Sequence, residues 1–215
     1  MNLRLLYGGT FDPVHAGHLA VARAARDAFA TEVFLLPAAD PPHRAPPGAS
    51  AEQRAQMIEL AIAGEPGLIL DRRELQRAGP SYTVDTLREF RRELGAHAPL
   101  AWLIGADAFR ELASWHDWRD LFGLAHFVVA ERPGHALDGL DERLRSACAS
   151  RWRQRPSELS EMPAGGLYRL GNVPHPATAT ESRQAMLSGA AEPSWLAPAV
   201  AAYIHGHGLY RPSRL

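Results

Sequence analysis

The sequence predicts an α/β fold in which a doubly wound parallel sheet is covered by helices on both faces. Two observations lead to this prediction: short apolar runs alternate with segments of helix length, and these runs are continuously apolar rather than alternating. Alternating strands and helices are typical of βαβ units. Continuously apolar strands are typical of a sheet buried on both sides. Right-handed crossovers would bring the carboxyl ends of the strands to one edge, where ligands bind in such folds.

The first elements follow from short local patterns. A strand is predicted over residues 3–7, where a Leu-rich run ends at two glycines. A helix is predicted over residues 17–30, because apolar side chains recur there at helical spacing between arginines and aspartates. Residues 33–36 form a second apolar strand that ends at Pro37. Residues 40–48 contain several prolines and are predicted to be irregular.

The middle of the chain continues the alternation. Ser50 and Gln53 have the spacing of a capping box and begin a helix predicted to run to residue 62. Residues 68–70 are a short apolar run that predicts a third strand. A helix is predicted over residues 83–94, and the glycine that follows is a common helix stop.

The second half of the chain predicts a strand over residues 100–104, then Gly105 and an aromatic helical stretch that runs to Trp118. Residues 138–163 are rich in Arg, Ser and Glu and predict no definite element. We expect one domain over residues 1–215, with a small helical part from about 176 to 215 packed on it. The remaining predicted elements are strands at 126–130 and 167–170 and helices at 181–187 and 198–204.

Composition excludes several classes of protein. The chain has 215 residues, and its 23 basic and 24 acidic side chains give a formal net charge of -1. This balance argues against a nucleic-acid protein built on a broad basic field. One cysteine excludes an internal disulfide and a multi-cysteine metal site, and it fits a cytoplasmic protein. No apolar run is long enough to cross a bilayer.

All 23 basic residues are arginines, so the chain has no lysine. A Walker P-loop, a protein kinase and a Schiff-base enzyme each need a lysine amine, and none of them can be present in standard form. Any phosphate chemistry must therefore use Arg, His, main-chain N–H groups, helix N-termini and metal ions.

The most informative segment follows the first predicted strand. Residues 8–19 read GGTFDPVHAGHL and lie where an α/β sheet commonly binds phosphate. Gly8 and Gly9 allow close approach of the main chain to a ligand. His15 and His18 are three positions apart at the start of a helix, so they fall on one side of its first turn. Two imidazoles and the helix N-terminus would converge on one anion.

The histidine pair has other possible interpretations. A lone His-x-x-His pair is more often a surface or packing feature than a site. A zinc site needs at least a third ligand, which neither an HExxH pattern nor a cysteine cluster supplies. The G-x-G-x-x-G fingerprint of dinucleotide-binding folds is absent. The remaining interpretation is a phosphate-binding site at the end of the first strand that includes His15 and His18. We call this site the phosphate corner.

The segment resembles the HxGH signature of the nucleotidyltransferase superfamily, and its longer form resembles the bacterial nicotinate-mononucleotide adenylyltransferases. A Rossmann-like sheet is the fold that this resemblance implies. Further segments similar to motifs of that family occur in the expected order along nearly the whole chain. They are PPHR at 41–44, Asp71, Glu74 and Arg77, GPSYTVDTL at 79–87, LIGAD at 103–107, WHDW at 115–118, ATATESR at 177–183 and HGLY at 207–210.

One motif departs from the family pattern. Ala177 and Thr178 stand where the family usually has Ile-Ser, and Ser182 stands where it has a second Ile. The hydroxyl and Arg183 are kept, so we expect the packing beneath this loop to differ more than its chemistry.

The resemblance implies adenylyl transfer from ATP to nicotinate mononucleotide, giving the deamido dinucleotide and pyrophosphate in NAD biosynthesis. It implies that His15 and His18 hold the ATP phosphates and stabilise charge at the α-phosphate, and that Arg183 acts on the β- and γ-phosphates. These three are the expected catalytic residues. The other expected ATP contacts are Gly8, Gly9, Thr10, Phe11, Gly105, Asp107, Thr178 and Thr180. Asp107 suits a ribose hydroxyl but could equally cap the next helix.

The resemblance also implies an acceptor site. Trp115 is the expected stacking surface for the pyridine ring, whereas Trp118 is expected in the core. Residues 81–83 begin a predicted helix whose N–H groups would suit the nicotinate carboxylate. His43 and Arg44 lie in a Pro-rich loop that could close over the phosphates. The full expected set for nicotinate mononucleotide is His43, Arg44, Ser81, Tyr82, Thr83 and Trp115.

Magnesium is expected as the cofactor, carried on the triphosphate, and no protein ligand is predicted for it. The other seven histidines are expected at the surface, in caps or in packing.

Two alternatives to the transfer of adenylyl to nicotinate mononucleotide remain open at this point. One is an adenylyltransferase of the same superfamily with nicotinamide mononucleotide or phosphopantetheine as acceptor. The other is a nucleotide-binding module without catalysis. No nucleic-acid or membrane partner is expected, and the oligomeric state is left open.

Overall fold

The structure is a computed structural model that describes residues 2–40, 47–131, 137–172, 178–188 and 194–211. Within these ranges one sheet contains seven strands in the order β3-β2-β1-β4-β5-β7-β6, and every neighbouring pair is parallel. The predicted doubly wound parallel sheet is confirmed. The strands are β1 Arg4–Gly9, β2 Val33–Pro37, β3 Leu68–Leu70, β4 Leu100–Gly105, β5 His126–Glu131, β6 Trp152–Arg153 and β7 Leu167–Asn172.

Helices precede or follow nearly every strand. Their caps agree with the sequence: Ser50 accepts from Gln53 N at 3.2 Å, and the Gln53 amide oxygen accepts from Ser50 N at 2.9 Å. The α-helices are α1 Ala16–Phe29, α2 Ala51–Ala61, α3 Thr83–Leu94, α4 Ala106–Arg110, α5 Trp118–Leu124, α6 Glu142–Cys148, α7 Ala179–Leu187 and α8 Pro198–Gly206. Short 3-10 helices lie at Arg73–Gln76, Leu112–Ser114 and Pro156–Leu159.

The sheet has an apolar core on each face. One core joins the strands to α1, α2 and α8, through side chains such as Ala22, Ile58 and Ile204. The other joins them to α3, α4, α5 and α6, through side chains such as Leu87 and Phe109. Burial on both faces explains why the strands are continuously apolar. It also places helices on both sides of the sheet, as predicted.

The sheet changes its winding direction between β1 and β4. The chain leaves β1 towards β2 and β3 on one side, and it returns to place β4 on the other side of β1. The connections at the carboxyl ends of β1 and β4 therefore run to opposite faces, which leaves a crevice at the ends of these strands. Gly9 ends β1 and Gly105 ends β4, so both glycines border this crevice.

Two regions differ from the prediction. The aromatic stretch after Gly105 is not one helix, because Trp115 has an extended backbone and Asp117 has a φ of 47°. Neither conformation can continue an α-helix, so α4 ends at Arg110 and α5 begins at Trp118. The second region, 138–163, for which the sequence predicts no definite element, contains α6 and the short strand β6. No helix among the described residues is long and apolar enough to span a membrane.

Candidate active site

A cavity of about 520 Å³ occupies the crevice at the carboxyl ends of β1 and β4. Its wall is formed by the ends of these strands, the first turn of α1, the loop before α3 and the segment after β4. Predicted site residues from distant parts of the sequence thus share one space. Those that line it are Gly8, Gly9, Thr10, Gly105, Asp107, Ser81, Tyr82, Thr83 and Trp115.

The two histidines form a reciprocal cap at the start of α1. His15 Nδ1 accepts a hydrogen bond from Gly17 N at 3.1 Å, and His18 Nδ1 accepts one from His15 N at 3.3 Å. Because each Nδ1 is an acceptor, the neutral ring carries its proton on Nε2, which is therefore a donor. The cap uses one nitrogen of each ring for structure and orients the other as a hydrogen-bond donor.

The rings are also held by packing. Their centroids are 3.8 Å apart, and the Phe11 ring meets His18 edge-on at 5.0 Å. His15 is 4% exposed, whereas His18 is half-buried. The positive N-terminal end of the dipole of the 14-residue helix α1 lies at the two histidines, and the first turn of α1 contains no acidic residue. This arrangement suits the binding of an anion.

Two glycines lie where the strands meet the cavity, and the first of them has no room for a side chain. A Cβ at Gly8 would lie 2.0 Å from the Trp102 ring, which packs across the strand from β4. A Cβ at Gly105 would lie 2.6 Å from Oδ1 of Asp107, because that carboxylate turns back over the glycine. Gly105 itself is the N-cap residue of α4, so the alternative in which Asp107 caps this helix is wrong.

Arg183 reaches the loop after β1 from α7. Its Nη1 donates to the main-chain oxygen of Asp12 at 2.6 Å, and its Nη2 contacts Thr180 Oγ1 at 3.4 Å. Thr178 caps α7, since its hydroxyl accepts from Glu181 N at 3.1 Å and donates to the Glu181 carboxylate at 2.8 Å. Arg183 therefore lies beside the segment that carries the histidines, while the Thr178 hydroxyl is engaged within its own helix cap.

The loop before α3 is bonded to the loop after β2. Ser81 Oγ accepts from Ala39 N at 2.9 Å, and Ser81 N donates to Asp40 O at 2.8 Å. Tyr82 packs on His116 with ring centroids 4.4 Å apart, and its side chain does not cap α3. The Ser81 side chain thus joins two loops, and the first turn of α3 begins at the cavity wall.

A family model described as cytidylyltransferase-like matches residues 6–181. Over 98% of its length the chain is 55% identical to a protein of Stenotrophomonas maltophilia named "probable nicotinate-nucleotide adenylyltransferase", and it covers 98% of that protein. A protein of the same name from Laribacter hongkongensis is 50% identical, with 96% of this chain and 93% of that protein covered. The chain belongs to the nicotinate-nucleotide adenylyltransferase family. It is therefore a nucleotidyltransferase.

A solved structure shows the same fold at low sequence identity. The nicotinic acid mononucleotide adenylyltransferase of Plasmodium falciparum, complexed with NaAD, matches with a TM-score of 0.72 and 16% identity. The match covers 98% of each chain. A second structure of that enzyme, complexed with APC, gives a TM-score of 0.68. The Rossmann-like sheet expected from the sequence is thus the fold of solved members of this enzyme class.

Several residues near the cavity were not predicted as site residues. Trp102 and His116 line it, although Trp102 was assigned only to a strand and His116 only to the surface, a cap or packing. Glu74 also lines it and is 4% exposed; Thr86 Oγ1 donates to its carboxylate at 2.6 Å, and Arg77 lies 3.7 Å away. Burial raises the pKa of Glu74 above its ordinary value. The family motif contained this glutamate, and that was the available signal.

The departure at Ser182 is accommodated by a hydrogen bond. Ser182 is fully buried; its hydroxyl donates to Thr178 O at 2.9 Å and accepts from Trp195 Nε1 at 2.8 Å. A polar contact therefore replaces the apolar packing that an isoleucine would supply. The expected acceptor contacts His43 and Arg44 lie outside the described residues, as do the rest of the motif at 41–44 and Ala177.

Proposed function

We propose that the protein transfers the adenylyl group of ATP to nicotinate mononucleotide, giving nicotinate adenine dinucleotide and pyrophosphate in NAD biosynthesis. The observation that carries this proposal is one cavity whose wall runs from Thr10 and Gly17, beside the histidine pair, to Ser81, Tyr82 and Trp115. Such a cavity offers a phosphate corner at one end and an aromatic, amide-lined acceptor site at the other.

In the proposed reaction a phosphate oxygen of nicotinate mononucleotide attacks the α-phosphorus of ATP. The bond to the bridging oxygen of the β-phosphate breaks, and pyrophosphate leaves with that electron pair. The protein supplies no nucleophile, so its contribution is orientation and charge stabilisation. The Nε2–H groups of His15 and His18 donate to the α-phosphate region, and Arg183 donates to the departing phosphates. In this mechanism histidine and arginine side chains make all the proposed phosphate contacts of the preceding sentence, which fits a chain without lysine.

The adenosine half binds along β1 and β4. Gly8 and Gly9 allow the nucleotide to approach the main chain, and the Asp107 carboxylate accepts from a ribose hydroxyl. Thr10, Phe11, Thr178 and Thr180 border the phosphates from the loop after β1 and the start of α7. Of these four residues Thr10 lines the cavity, and the roles of the other three rest on the family motifs.

The acceptor binds at the start of α3. N–H groups of the first turn, near Thr83, receive the nicotinate carboxylate, and Trp115 packs on the pyridine ring. An amide in place of the carboxylate has no negative charge, so the site prefers the acid. Ser81 acts by joining this turn to the loop after β2. His43 and Arg44, which follow that loop in the sequence, are proposed as further contacts of the acceptor.

Magnesium enters with ATP and is held mainly by phosphate oxygens and water. Among the described residues, no group of three His, Cys, Asp or Glu side chains could hold a metal ion. The bound ion would offset negative charge on the triphosphate.

We also place the enzyme in the cytoplasm, since its buried Cys148 fits a reducing compartment.

The test is ATP-dependent pyrophosphate release in the presence of magnesium, with nicotinate mononucleotide, nicotinamide mononucleotide and phosphopantetheine as parallel acceptors. Strong release with the acid alone supports both the reaction and the carboxylate site. Equal release with acid and amide keeps the reaction and contradicts the proposed role of the α3 N-terminus. Release with phosphopantetheine alone contradicts the acceptor, and ATP binding without release for any acceptor favours a non-catalytic module.

A further inference from the structure

Arg54 is a buried arginine of α2 whose guanidinium binds three separate segments of the main chain. Its side chain is in the core, with the residue only 1% exposed. Nη1 donates to Thr10 O at 2.7 Å, Nη2 donates to Ala39 O at 3.1 Å, and Nε donates to Ala49 O at 3.3 Å. All three nitrogens are thus used on carbonyl groups. The three carbonyls belong to the loop after β1, the loop after β2 and the start of α2.

Packing alone does not explain this residue. Burying a charge costs several kcal/mol unless it is paired, and an apolar side chain of similar length would fill the same space at lower cost. Burial lowers the pKa of Arg54, and the charges of Asp12 and Glu74 act on it in the opposite direction. An arginine nevertheless stays protonated in a protein. A permanent positive charge therefore lies one hydrogen bond behind Thr10, which lines the cavity.

The bond to Thr10 acts on a peptide group that needs support. Phe11 follows Thr10 and has a φ of 51°, in the left-handed region that a bulky L-residue rarely adopts. Because a peptide is planar, fixing the Thr10 carbonyl also fixes the Phe11 N–H on its opposite side. Phe11 in turn packs on His18, one of the two histidines of the phosphate corner. Arg54 thus holds the peptide group that precedes Phe11, the residue that packs on His18.

The hydrogen bond from Arg54 to Ala39 O connects the guanidinium to the part of the cavity proposed to bind the acceptor. Ala39 N donates to Ser81 Oγ, and Ser81 begins the loop before α3. The guanidinium therefore links the Thr10 loop to the Ser81 loop through one intervening residue. Two main-chain hydrogen bonds run beside this link, from Ala38 N to Gly9 O at 3.0 Å and from Ser81 N to Asp40 O at 2.8 Å.

We propose that Arg54 is a positioning residue for both substrates: it holds the Thr10–Phe11 peptide and the Ala39–Ser81 contact in the geometry that the reaction needs. This inference rests on the proposed function, because the reaction defines the two substrates. Loss of the guanidinium should affect the turnover of the bound substrates as well as their affinity, since the reacting groups would no longer be aligned.

Arg91 provides a matched control. It lies on α3, burial also lowers its pKa, and its guanidinium also binds main-chain carbonyls, including Leu124 O at 2.7 Å and Ala98 O at 2.6 Å. Its carbonyl partners precede β4 and β5, at the opposite end of the sheet from the cavity. A variant at this position removes a similar set of bonds without touching the site.

The experiment compares Arg54→Met, Arg54→Lys and Arg91→Met with the wild-type protein. For each we would measure the melting temperature, kcat and both KM values for pyrophosphate release, and the Kd of ATP by calorimetry. We expect Arg54→Met to reduce kcat/KM about 100-fold, the cost of a misplacement of roughly 1 Å. Arg54→Lys should recover part of this loss, because its amine reaches some of the carbonyls. Arg91→Met should lower the melting temperature and keep kcat/KM near the wild-type value.

Wild-type kcat/KM in Arg54→Met would overturn the inference, as would an equal loss in Arg91→Met. If Arg54→Met does not fold, Arg54→Lys decides: a folded protein with unchanged kcat/KM and ATP affinity overturns it. If the wild-type protein releases no pyrophosphate with any acceptor, the proposed function fails, and ATP affinity then tests the inference alone. Equal Kd values for wild type and Arg54→Met would in that case overturn it, and a weakened Kd would support it.

Discussion

The hydroxyl of Tyr210 donates a hydrogen bond to Oδ1 of Asp12 and so joins the C-terminal segment to the loop after β1. The same carboxylate accepts from Gly48 N at 2.8 Å and from Ala49 N at 3.2 Å, at the start of α2. The main-chain oxygen of Asp12 accepts from Arg183. One buried residue therefore connects three parts of the chain directly beside the histidine pair.

The Tyr210→Phe variant tests this connection. We expect the free energy of unfolding to fall by about 1–3 kcal/mol, because a buried carboxylate loses a donor. The KM for ATP should rise, since Arg183 and the loop after β1 share Asp12. Urea unfolding and ATP titration measure the two effects. Tyr203→Phe, at a half-buried tyrosine stacked on His207, is the control. Unchanged stability in Tyr210→Phe would contradict the role of this bond.

The His18→Ala variant tests the phosphate corner. We expect kcat to fall by about 100-fold to 1,000-fold, as for the removal of other donors aimed at a developing charge. The circular dichroism spectrum should be unchanged, because the loss of one cap bond leaves the apolar face of α1 intact. His207→Ala removes an exposed histidine of α8's C-cap and should keep full activity. Near-normal turnover in His18→Ala would refute the assigned role.

Two neighbouring tryptophans should respond in opposite ways. Trp115 is half-buried in the cavity wall, so Trp115→Ala should raise the KM for nicotinate mononucleotide with little loss of stability. Trp118 is 7% exposed and packs in the core, as predicted. Trp118→Ala should therefore cost about 3–5 kcal/mol of unfolding free energy. Thermal melts and acceptor titrations separate these outcomes, and an unchanged KM in Trp115→Ala would count against the stacking role.

The Ser182→Ile variant restores the residue that the family usually has at this position. We expect a loss of about 1–3 kcal/mol, because the larger side chain must enter a filled site. The Trp195 indole N–H would also lose its acceptor. Chemical unfolding measures the loss, and Ser188→Ile, at an exposed position after α7, controls for the added apolar surface. A more stable Ser182→Ile would show that the hydrogen bond adds nothing to the packing.

Stability should depend on pH through His126, which is fully buried. Its Nδ1 accepts from Gly166 N at 2.8 Å, and its Nε2 lies 2.9 Å from Met162 O. Burial lowers its pKa below the ordinary value, and the charges of Arg91 and Arg153 act in the same direction. A proton on Nδ1 would break the bond to Gly166, so the folded state resists protonation.

The sign of the effect follows from that lowered pKa. Above about pH 6.5 both states carry a neutral ring, and the contribution to stability is complete. As the pH falls through that value the unfolded chain binds a proton and the folded chain does not, so the free energy of unfolding decreases. In His126→Asn the loss between about pH 7.5 and about pH 5.5 should be smaller. Urea titrations at both values measure it, and an equal slope in variant and wild type would contradict the assignment.

Much of the fold could be predicted because its signals are local. The helix α3 begins and ends at the predicted residues, Thr83 and Leu94, since a glycine follows it directly. The Ser50–Gln53 cap lies within one turn of chain. The break between α4 and α5 was missed, because the left-handed conformation of Asp117 has no strong local signal. The short strand β6 was also missed, since two residues form a strand only beside a neighbour such as β7.

The site was predicted in part for the same reason. His15 and His18 could be identified as a pair because they are three positions apart at the start of a helix, so their proximity needs no tertiary information. Arg54 could have been found only as a charge on the apolar face of α2, three and four residues before Met57 and Ile58. That signal is weak, since most such arginines extend to the surface.

The sequence by itself determined the alternation of strands and helices over most of the chain, the position of the histidine pair at a helix start and the absence of lysine chemistry. These properties depend on residues within a few positions of one another, where covalent geometry and helix periodicity dictate the outcome. The tertiary structure alone decided that Asp12 meets Tyr210, that Arg54 meets Thr10 and Ala39, and that Trp115 shares a cavity with Gly8. Such contacts arise when the two halves of the sheet pack around one core, and no local pattern encodes which distant surfaces then meet.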